Sequence, residues 1–534
     1  MIEKVVIKNY KSIEYLDLKL DDEMNILVGN NEQGKSTILE AVNLALTSTL
    51  NKRNIHNELN PFLFNKKVVE DYINNIAHGK QEVPPNILIE LYLKENDQII
   101  SWKGSNNLKK ENTCGISLSI EFDDDYTEEY QQYIEQSTNI KNIPIEYYKV
   151  NWYSFASNPI TPRSNPVKCV LIDPTEGKTW SGTDRYISSV IGDVLEPKQR
   201  ATLNFNFRDI KERFSEIESI SQINNTLSEK TGEISDKELA ISLDISQKNG
   251  WESNLTAYLD DIPFDFIGKG EQNSVKLKLS LESNADEAQI VLIEEPENHL
   301  SHSNMYKLIN QITEKCKGKQ LIITTHSTYV LNKLGLDKVV LMNNSNHMTL
   351  RDLNQDTYTY FKKLPGYDTL RLLLADKAIL VEGPSDELIV QKAYYQEYNR
   401  LPIEDGIDVI TVRGLSFKRF LEIADLLKKE VAVVTDNDGN VDKNIIKKYG
   451  DHYLNHPKIK ICYSEDTRYA TLEPQIVSVN ELSVLNDIFG KNYTSKEELI
   501  KYMTSSGNKS ECAMCIFDSN KQIVIPEYIN EAIK

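Results

Sequence analysis

The chain has 534 residues, of which 40% are hydrophobic and 26% charged, and its formal net charge is −19. This length exceeds the size of a single hydrophobic core, so we expect two to four domains. The negative charge argues against a protein that coats nucleic acid by bulk electrostatics, but it allows a local basic channel beside an acidic metal site. No apolar run approaches the ~18 residues of a membrane span, and residues 1–5 lack a signal-peptide layout. We therefore expect a cytoplasmic protein with no membrane partner.

A phosphate-binding loop follows two alternating, hairpin-like strands predicted at residues 4–11 and 16–20. The loop reads G-x-x-x-x-G-K-S between an apolar run at 26–28 and a helical pattern, which is the context this motif requires. Backbone N–H groups and the helix N-terminus favour phosphate. Lys35 is expected to reach the β- and γ-phosphates, and Ser36 to bind Mg²⁺. The sequence predicts ATP binding by Gly29, Asn30, Asn31, Glu32, Gln33, Gly34, Lys35, Ser36 and Thr37.

A mixed region with strand-like runs at 87–93 and 116–122 comes next, and a helical pattern extends from 183 to about 227. Its apolar residues are spaced by threes and fours, which predicts one apolar stripe: Phe207, Ile210, Phe214, Ile217, Ile220, Ile223 and Leu227. Such a stripe fits either a helix packed on its own domain or a dimerising hairpin. It is too short for a long coiled-coil arm.

Two buried strands predicted at 290–293 and 321–323 carry the next polar groups. The first ends at Glu294 and Glu295, the second leads to His326, and a helical pattern separates them. Strand, helix and strand form a parallel crossover, and ligands bind at the carboxyl edge of such a sheet. A glycine-bracketed loop at 268–272 precedes them.

The chain thus has four elements in order: the phosphate loop, the glycine-bracketed loop, the strand that ends in glutamates and the strand that leads to a histidine. In this order they resemble the ATP-binding-cassette ATPases of DNA-repair and chromosome proteins. The resemblance implies that Glu294 holds Mg²⁺ through water, Glu295 orients the attacking water and His326 is the switch histidine near the γ-phosphate. It also implies a signature loop that caps the nucleotide of a second copy, and hence a homodimer; its residues are Gly268, Lys269, Gly270 and Gln272. The family usually has Asp at the Glu294 position and Ser-Gly-Gly-Gln in the signature, so slow hydrolysis is expected.

A C-terminal unit alternates strands and helices from about residue 373, with strands predicted at 378–381, 407–412, 431–434 and 459–462. Acidic residues follow these strands: Glu382 after the first, Asp436 and Asp438 after the third, and Glu473 after the fourth. Parallel strands deliver these carboxylates to one edge of the sheet. Clustered carboxylates need a positive partner, and a two-metal Mg²⁺ site for phosphodiester cleavage fits them.

The order Val-Glu-Gly, then Asp-Asn-Asp, resembles the Toprim domain of topoisomerases, primases and nucleases. With the preceding ATPase, the chain resembles the Overcoming Lysogenization Defect (OLD) family of nucleases over essentially its whole length. The resemblance implies a set of metal ligands, namely Glu382, Asp386, Asp436, Asp438 and Glu473, with Glu387 competing with Asp386 for one role. It also points to Lys509 as the lysine that stabilises the developing phosphate charge. A run of basic residues near this edge is equally a DNA contact or a solvated face: Arg413, Lys418, Arg419, Lys447 and Lys448.

The predicted fold class is α/β, with a P-loop ATPase of cassette type, a helical insertion for dimerisation and a Rossmann-like Toprim sheet. The expected boundaries are 1–182 and 246–370 for the ATPase, 183–245 for the insertion and 371–534 for the Toprim domain. The expected function is an ATP-binding and ATP-hydrolysing DNA endonuclease that uses Mg²⁺ or Mn²⁺ at both sites.

Members of the OLD family act in bacterial defence against phage, in Gabija-like or retron-associated systems. This likeness implies a homodimer, DNA as substrate and a possible helicase or reverse-transcriptase partner. Two alternatives stay open: an ATP-driven DNA scaffold with an inactive Toprim domain, and a topoisomerase- or primase-like enzyme.

Overall fold

The computed structural model describes residues 1–30, 33–51, 53–80, 82–136, 140–173, 195–214, 216–229, 237, 239–244, 251, 258–283, 288–343, 346–349, 353–363, 367–412, 417–505 and 507–534. The chain forms two compact units, the first comprising Met1–Asn25 with Gly34–Thr325 and the second Ile26–Gln33 with His326–Lys534. The boundary therefore falls inside the phosphate loop. Within the described residues, no helix is long and apolar enough to cross a membrane.

The strands are, in chain order, β1 (Ile2–Tyr10), β2 (Ile13–Lys19), β3 (Met24–Val28), β4 (Thr49–Leu50), β5 (Arg53–Asn54), β6 (Ile87–Leu93), β7 (Lys103–Gly104), β8 (Thr113–Phe122), β9 (Tyr148–Ser154), β10 (Cys169–Ile172), β11 (Tyr258–Leu259), β12 (Ile262–Pro263), β13 (Ile290–Glu294), β14 (Gln320–Thr324), β15 (Val339–Asn343), β16 (Asn346–Thr349), β17 (Lys377–Val381), β18 (Ile407–Thr411), β19 (Glu430–Val434) and β20 (Ile459–Cys462).

The α-helices are α1 (Lys35–Thr47), α2 (Lys66–Ala77), α3 (Thr127–Gln136), α4 (Pro197–Phe214), α5 (Glu218–Ser228), α6 (Lys269–Ser283), α7 (His302–Lys315), α8 (Thr328–Leu334), α9 (Gln355–Lys363), α10 (Tyr367–Leu374), α11 (Pro384–Tyr398), α12 (Phe417–Leu426), α13 (Lys447–Leu454), α14 (Leu472–Val479), α15 (Leu482–Phe489), α16 (Lys496–Met503), α17 (Asn508–Asp518) and α18 (Glu527–Ala532).

The first unit contains an antiparallel sheet in the order β2-β1-β6-β8, with β7 and β9 both paired to β8. Its strands follow the period of two: in β8, Ile116, Leu118 and Ile120 are fully buried, while the serines between them are partly exposed. The buried side chain of Gln320 fixes the start of β1. It accepts from the Ile2 N–H at 2.7 Å and donates to the Ile2 carbonyl at 2.7 Å.

Three parallel strands of the first unit, in the order β10-β13-β14, deliver polar residues to one edge. The register places Ile172 beside Ile293 and Ile293 beside Ile323, all fully buried or nearly so. Strands buried on both faces read as continuous apolar runs, which is why 290–293 and 321–323 could be recognised. Helix α7 connects β13 to β14 as the predicted crossover.

The second unit contains a four-stranded parallel sheet in the order β18-β17-β19-β20. The four strands predicted from the sequence match these strands to within one residue at either end. The sheet packs on the C-terminal helices through one buried cluster, with Val381 and Val434 from the strands, Ile389 from α11, Ile516 from α17 and Ile529 from α18. In the same unit, Ile26 of β3 pairs in parallel with Val339 of β15.

The α/β fold class is confirmed, but two local predictions need correction. The helical stretch predicted from 183 forms two helices, α4 and α5, because Ile217 adopts an extended backbone at φ −61° and ψ 129°; residues 183–194 lie outside the described residues. The sequence 268–272 is mostly helix rather than loop, since α6 begins at Lys269.

Candidate nucleotide-binding and metal sites

The second glycine of the phosphate loop shapes the start of α1. Gly34 has φ 86° and ψ 12°, a left-handed conformation that suits glycine. A Cβ there would also lie 3.2 Å from the Ser12 Oγ and from the Ile13 side chain. Gly34 thereby lets Lys35 begin a helix whose first N–H groups face the phosphate position. The Thr37 hydroxyl lies 3.1 Å from that of Ser12.

Lys35 and Ser36 face the acidic end of β13. Lys35 is only 6% exposed; burial lowers its pKa, while the nearby charges of Glu295, Glu294 and Glu297 partly offset this effect. Burial raises the pKa of Glu294, and the Ser36 hydroxyl, which donates to it, acts in the opposite direction. A lysine, a hydroxyl and a carboxylate thus converge where a nucleotide-bound Mg²⁺ would need them.

Glu295 has a backbone conformation that few residues adopt. Its φ is 39°, in the left-handed region that costs energy for a side chain with a Cβ. Two contacts hold it there: its N–H donates to the Thr324 carbonyl at 3.1 Å, and Asn298 Nδ2 donates to its Oε2 at 2.8 Å. These two hydrogen bonds hold the strained backbone and orient the Glu295 carboxylate at the strand end.

A cavity of about 500 Å³ lies beside these residues in the first unit. Its lining includes Ser36 and the acidic residues Glu40, Asp173 and Glu294. Asp173 directly follows β10 and its charge contributes to the raised pKa of Glu294. The sequence reasoning missed Asp173, although it follows a short apolar run that pairs in parallel with β13.

The first turn of α6 contains the predicted signature residues. Gly268 and Lys269 are exposed, and a Cβ on Gly270 would come within 2.2 Å of the His299 carbonyl oxygen. Gln272 is used inside the unit, because its Nε2 donates to the carbonyls of Phe264 and Ile267 at 2.8 and 2.9 Å. The glycine at 270 is thus required by close packing, independently of any nucleotide.

The remaining predicted ATP-site residues belong to the second unit or lie outside the described residues. The Asn30 N–H donates to Gln33 Oε1 at 2.8 Å, and a Cβ on Gly29 would lie 2.9 Å from the Met342 carbonyl oxygen. His326 follows the end of β14 by two residues. Asn31 and Glu32 are outside the described residues.

The carboxyl edge of the four-stranded sheet brings Glu382 and Asp436 together. Glu382 follows β17 and Asp436 follows its neighbour β19 by two residues. Glu382 Oε1 accepts from the Thr435 hydroxyl at 2.6 Å and from the Asp436 N–H at 3.2 Å. Asp438 lies on the same turn with φ 46°, held by its N–H to the Ala470 carbonyl at 3.1 Å.

The carboxylates of Asp386 and Glu387 point to different partners. Asp386 Oδ2 accepts from the Gly383 N–H at 3.1 Å, and its charge is close enough to those of Glu382 and Glu473 to interact with them. Glu387 Oε2 instead accepts from the Thr411 hydroxyl at 2.9 Å. The geometry therefore favours Asp386 over Glu387 as the member of the acidic cluster.

Two of these carboxyls hold their protons unusually well. Burial first, and then the charges of Glu382 and Glu473, raise the pKa of Asp386 to about 7. Burial, followed by Asp386, Glu382, Glu473 and Asp438, raises the pKa of Asp436 to about 8. Buried like charges oppose one another's ionisation, so this edge needs an additional positive charge.

Lys509 lies on the Glu473 side of the cluster. Glu473 is 5% exposed near the start of α14, and Lys509 Nζ is 3.2 Å from its Oε1. Gly507, at φ 95°, allows the chain to enter α17 so that Lys509 falls on the first turn of this helix. The structure thus brings the predicted lysine to a predicted metal ligand.

The residues present fit a divalent metal by chemistry. Within the described residues, no three His, Cys, Asp or Glu side chains stand close enough to form a finished cage. Three of the carboxylates have partners within the protein: Thr435 for Glu382, Gly383 for Asp386 and Lys509 for Glu473. The donor set is nevertheless all oxygen, which Mg²⁺ and Mn²⁺ prefer, and a cation would relieve the mutual repulsion that raises the pKa of Asp436.

The basic residues proposed from the sequence have different environments. The Arg419 guanidinium stacks 4.2 Å from the Tyr360 ring, and Lys447 Nζ is 2.7 Å from Asp442. Lys418 is exposed, whereas Lys448 is partly buried. Arg413 lies outside the described residues.

Tyr528 is a site residue that sequence reasoning missed. It is 6% exposed in α18, and burial together with the charges of Asp436, Asp386, Glu382 and Glu473 raises its pKa well above the usual value. It comes from the C-terminal helix, far from the acidic motifs in sequence. No local pattern distinguishes it among 27 tyrosines.

Comparisons with known proteins identify two domains in the chain. Residues 1–331 match the family model described as AAA ATPase domain, and residues 373–438 match the Toprim domain of Overcoming lysogenization defect protein-like proteins. Endonuclease GajA of Bacillus cereus (strain VD045) is 22% identical over 454 residues, covering 81% of this chain and 74% of GajA. Structural maintenance of chromosomes protein 6 of Saccharomyces cerevisiae is 23% identical over 376 residues, covering 68% of this chain and 28% of that protein.

Solved structures give only distant likenesses. An Smc head bound to the C-winged helix domain of ScpA covers 66% of this chain and 98% of its own, at 15% identity and a TM-score of 0.33. The recombination mediator RecF with ATPrS covers 66% and 98%, at 14% identity and a TM-score of 0.31. The first family model spans more than half of the chain. The chain therefore belongs to the AAA ATPase domain family and carries, after that domain, the Toprim domain of the OLD-like proteins.

Proposed function

We propose that this protein is a divalent-metal-dependent DNA endonuclease whose cleavage is controlled by ATP, and that it acts in defence against phage. One observation carries the proposal: Glu382, Asp386, Asp436 and Glu473 interact at the carboxyl edge of a parallel sheet, with Lys509 paired to Glu473. The similarity to an endonuclease over 81% of the chain supports it.

The nuclease reaction would use the acidic edge of the second unit. A divalent cation, when bound, supplies Lewis-acid activation of water and of the phosphate. In this proposal Glu382, Asp386, Asp436, Asp438 and Glu473 hold Mg²⁺ or Mn²⁺, and Lys509 stabilises the phosphate charge. Water adds to phosphorus, one phosphorus–oxygen ester bond breaks, and the products are a phosphate monoester and a free sugar hydroxyl.

ATP would bind at the phosphate loop, with Lys35 on the β- and γ-phosphates and Ser36 and Glu294 toward Mg²⁺. Glu295, which Asn298 orients at 2.8 Å, would position the attacking water, and His326 would contact the γ-phosphate. The ATPase would comprise 1–182 and 246–370, the insertion 183–245 and the nuclease 371–534. Exposed Gly268 and Lys269 suit a signature that caps ATP in a second copy.

The proposed partners are DNA, a second copy of the chain and a defence-system protein such as a helicase or a reverse transcriptase. Exposed apolar residues on α4 and α5 would fit a dimerising insertion, with Ile210 63% and Ile223 44% exposed. A partner or a nucleotide state would keep the nuclease silent until infection.

A cleavage assay with matched aspartate variants tests the nuclease. Wild type, Asp436→Asn and Asp442→Asn are incubated with plasmid DNA and Mg²⁺ or Mn²⁺. Asp442 is an exposed neighbour that pairs with Lys447, so its variant should cleave normally. Asp436→Asn should cleave about 100-fold more slowly or worse, since the loss of even an outer-shell partner of a metal costs about 10–100-fold. Equal cleavage by the two variants would refute the proposed site.

The products of the same assay separate the alternatives. Nicks or breaks that persist indicate a nuclease, whereas relaxed closed circles indicate a topoisomerase. ATP hydrolysis without cleavage under any metal would indicate the scaffold.

A further inference from the structure

Two adjacent lysines at the start of α13 have opposite environments. The Lys447 side chain is 72% exposed and its Nζ lies 2.7 Å from Asp442 Oδ2. Lys448 is partly buried. The two lysines are neighbours in the sequence, so the difference in the exposure of their side chains comes from the fold.

Lys448 lies between aromatic rings and the acidic edge. Its Nζ is 5.5 Å from the ring centroid of Phe417 and 5.2 Å from that of Tyr449, both of which are buried. The carboxylates of Glu382 and Asp438 are near enough for their charges to act on it. A partly buried ammonium needs such favourable charges and ring faces nearby.

Within the part of the chain that the structure describes, the Lys448 ammonium keeps hydrogen-bonding capacity for a ligand. Among the described residues, no acceptor is bonded to its ammonium, whereas Lys509 is paired with Glu473 and Lys447 with Asp442. An ammonium has three donors and no acceptor. A phosphate oxygen placed next to Glu382 and Asp438 would accept one of these three hydrogen bonds.

We infer that Lys448 is a further catalytic residue, which binds a non-bridging oxygen of the scissile phosphate from the Glu382 and Asp438 side of the site. Lys509, in contrast, is paired with Glu473. This inference rests on the proposed nuclease function. Lys448 transfers no proton in the reaction; its fixed positive charge stabilises the negative charge that grows on the phosphate oxygens.

The test compares Lys448→Met and Lys448→Arg with Lys447→Met. Rates of single-turnover DNA cleavage are measured at saturating DNA with Mn²⁺, after circular dichroism has shown that each variant is folded. Loss of one charge-stabilising donor typically costs about 100-fold in rate, so Lys448→Met should be slower by about that factor. Lys448→Arg should recover part of the rate, and Lys447→Met should stay within about twofold of wild type.

A second readout follows from the charge and does not need cleavage. Removing a positive charge beside Glu382 and Asp438 should strengthen Mn²⁺ binding, so Mn²⁺ should raise the melting temperature at lower concentrations in Lys448→Met than in wild type or Lys447→Met. The readout is the Mn²⁺ midpoint, the Mn²⁺ concentration that gives half of the rise in melting temperature. Replacement of a residue with only a structural role would not shift this midpoint.

The outcomes separate the two proposals. If wild type cleaves and Lys448→Met cleaves as fast as Lys447→Met, Lys448 has no catalytic role. If wild type cleaves no DNA under any condition, the nuclease proposal fails, and the catalytic assignment of Lys448 fails with it. An unchanged Mn²⁺ midpoint in Lys448→Met would show that the Lys448 charge does not act on the metal-binding carboxylates, and the inference would be wrong.

Discussion

Individual carboxylates in this molecule are tuned by burial and by one another. The pKa values of Asp386 and Asp436 are raised to about 7 and about 8, because loss of solvent and neighbouring like charges both disfavour the charged forms. Glu295, in contrast, is fixed through its backbone, at φ 39°. Each of these features makes a measurable prediction at the level of a single side chain.

The raised pKa of Asp436 predicts how stability depends on pH and metal. Its ordinary value is 3.8 and its folded value about 8, so between these pH values the native state holds more protons than the unfolded state. Without metal, stability should therefore fall as pH rises from about 4 to about 8. Divalent metal needs deprotonated ligands, so Mg²⁺ should raise the melting temperature more at pH 8 than at pH 6.

Asp436→Asn is the control for this pH effect. The variant has no charge to bury, so its metal-free stability should change less over the same range and its response to Mg²⁺ should shrink. The same pH profile in wild type and Asp436→Asn, followed by thermal melting, would contradict the role given to Asp436.

Replacement of Glu295 should separate ATP binding from hydrolysis. Glu295→Gln keeps the shape of the side chain and loses the charge that orients water, so we expect the hydrolysis rate to fall by about 100-fold or more, within the range for general-base catalysis. ATP binding, measured by fluorescent-nucleotide titration, should persist. Glu314→Gln, on the exposed side of α7, is the matched control, and a full hydrolysis rate in Glu295→Gln would exclude Glu295 as the water-orienting group.

At the scale of elements, the buried parallel strands could be predicted and the helices that complete the sites could not. Continuous apolar runs identified β13, β14, β17 and β19. Because parallel strands end at the same edge of a sheet, acidic residues that follow them are expected at that edge. Lys509, Lys448 and Tyr528 reach that edge from helices whose positions depend on packing across the whole unit. Sequence alone also left Asp386 and Glu387 equivalent. Adjacent residues on a helix point in different directions, but which of them turns away from the acidic cluster depends on the neighbouring strand, where Thr411 binds Glu387.

Lys429 connects the segment before β17 to the segment that leads into β19 of the four-stranded sheet. Its Nζ donates to the carbonyl of Leu373 at 2.6 Å and to that of Ala375, at the end of α10. Lys429→Met would leave these carbonyls without their donor at a cost of about 1–3 kcal/mol. Urea unfolding should show this loss, while Lys428→Met, at an exposed neighbour, should change little; equal midpoints would contradict the anchoring role.

At the scale of the whole molecule, an ATPase domain and a Toprim domain share one acidic chain of net charge −19. Within the second unit, the phosphate-loop residue Asn30 donates through Nδ2 to the Leu374 carbonyl at 3.4 Å. This carbonyl lies where α10 ends, one residue from the carbonyls that Lys429 holds, and β17 with Glu382 follows directly. Within this unit, Asn30 is therefore hydrogen-bonded to the segment that leads directly into β17.

The most direct test of ATP control over the nuclease is plasmid cleavage with Mg²⁺ across an ATP titration, for wild type, Lys35→Ala and Glu382→Ala. Glu382→Ala should not cleave at any ATP concentration. Lys35→Ala should cleave without responding to ATP, because the proposed function assigns the phosphates to Lys35 and the metal to Glu382. Identical ATP responses in wild type and Lys35→Ala, or undiminished cleavage by Glu382→Ala, would contradict the account.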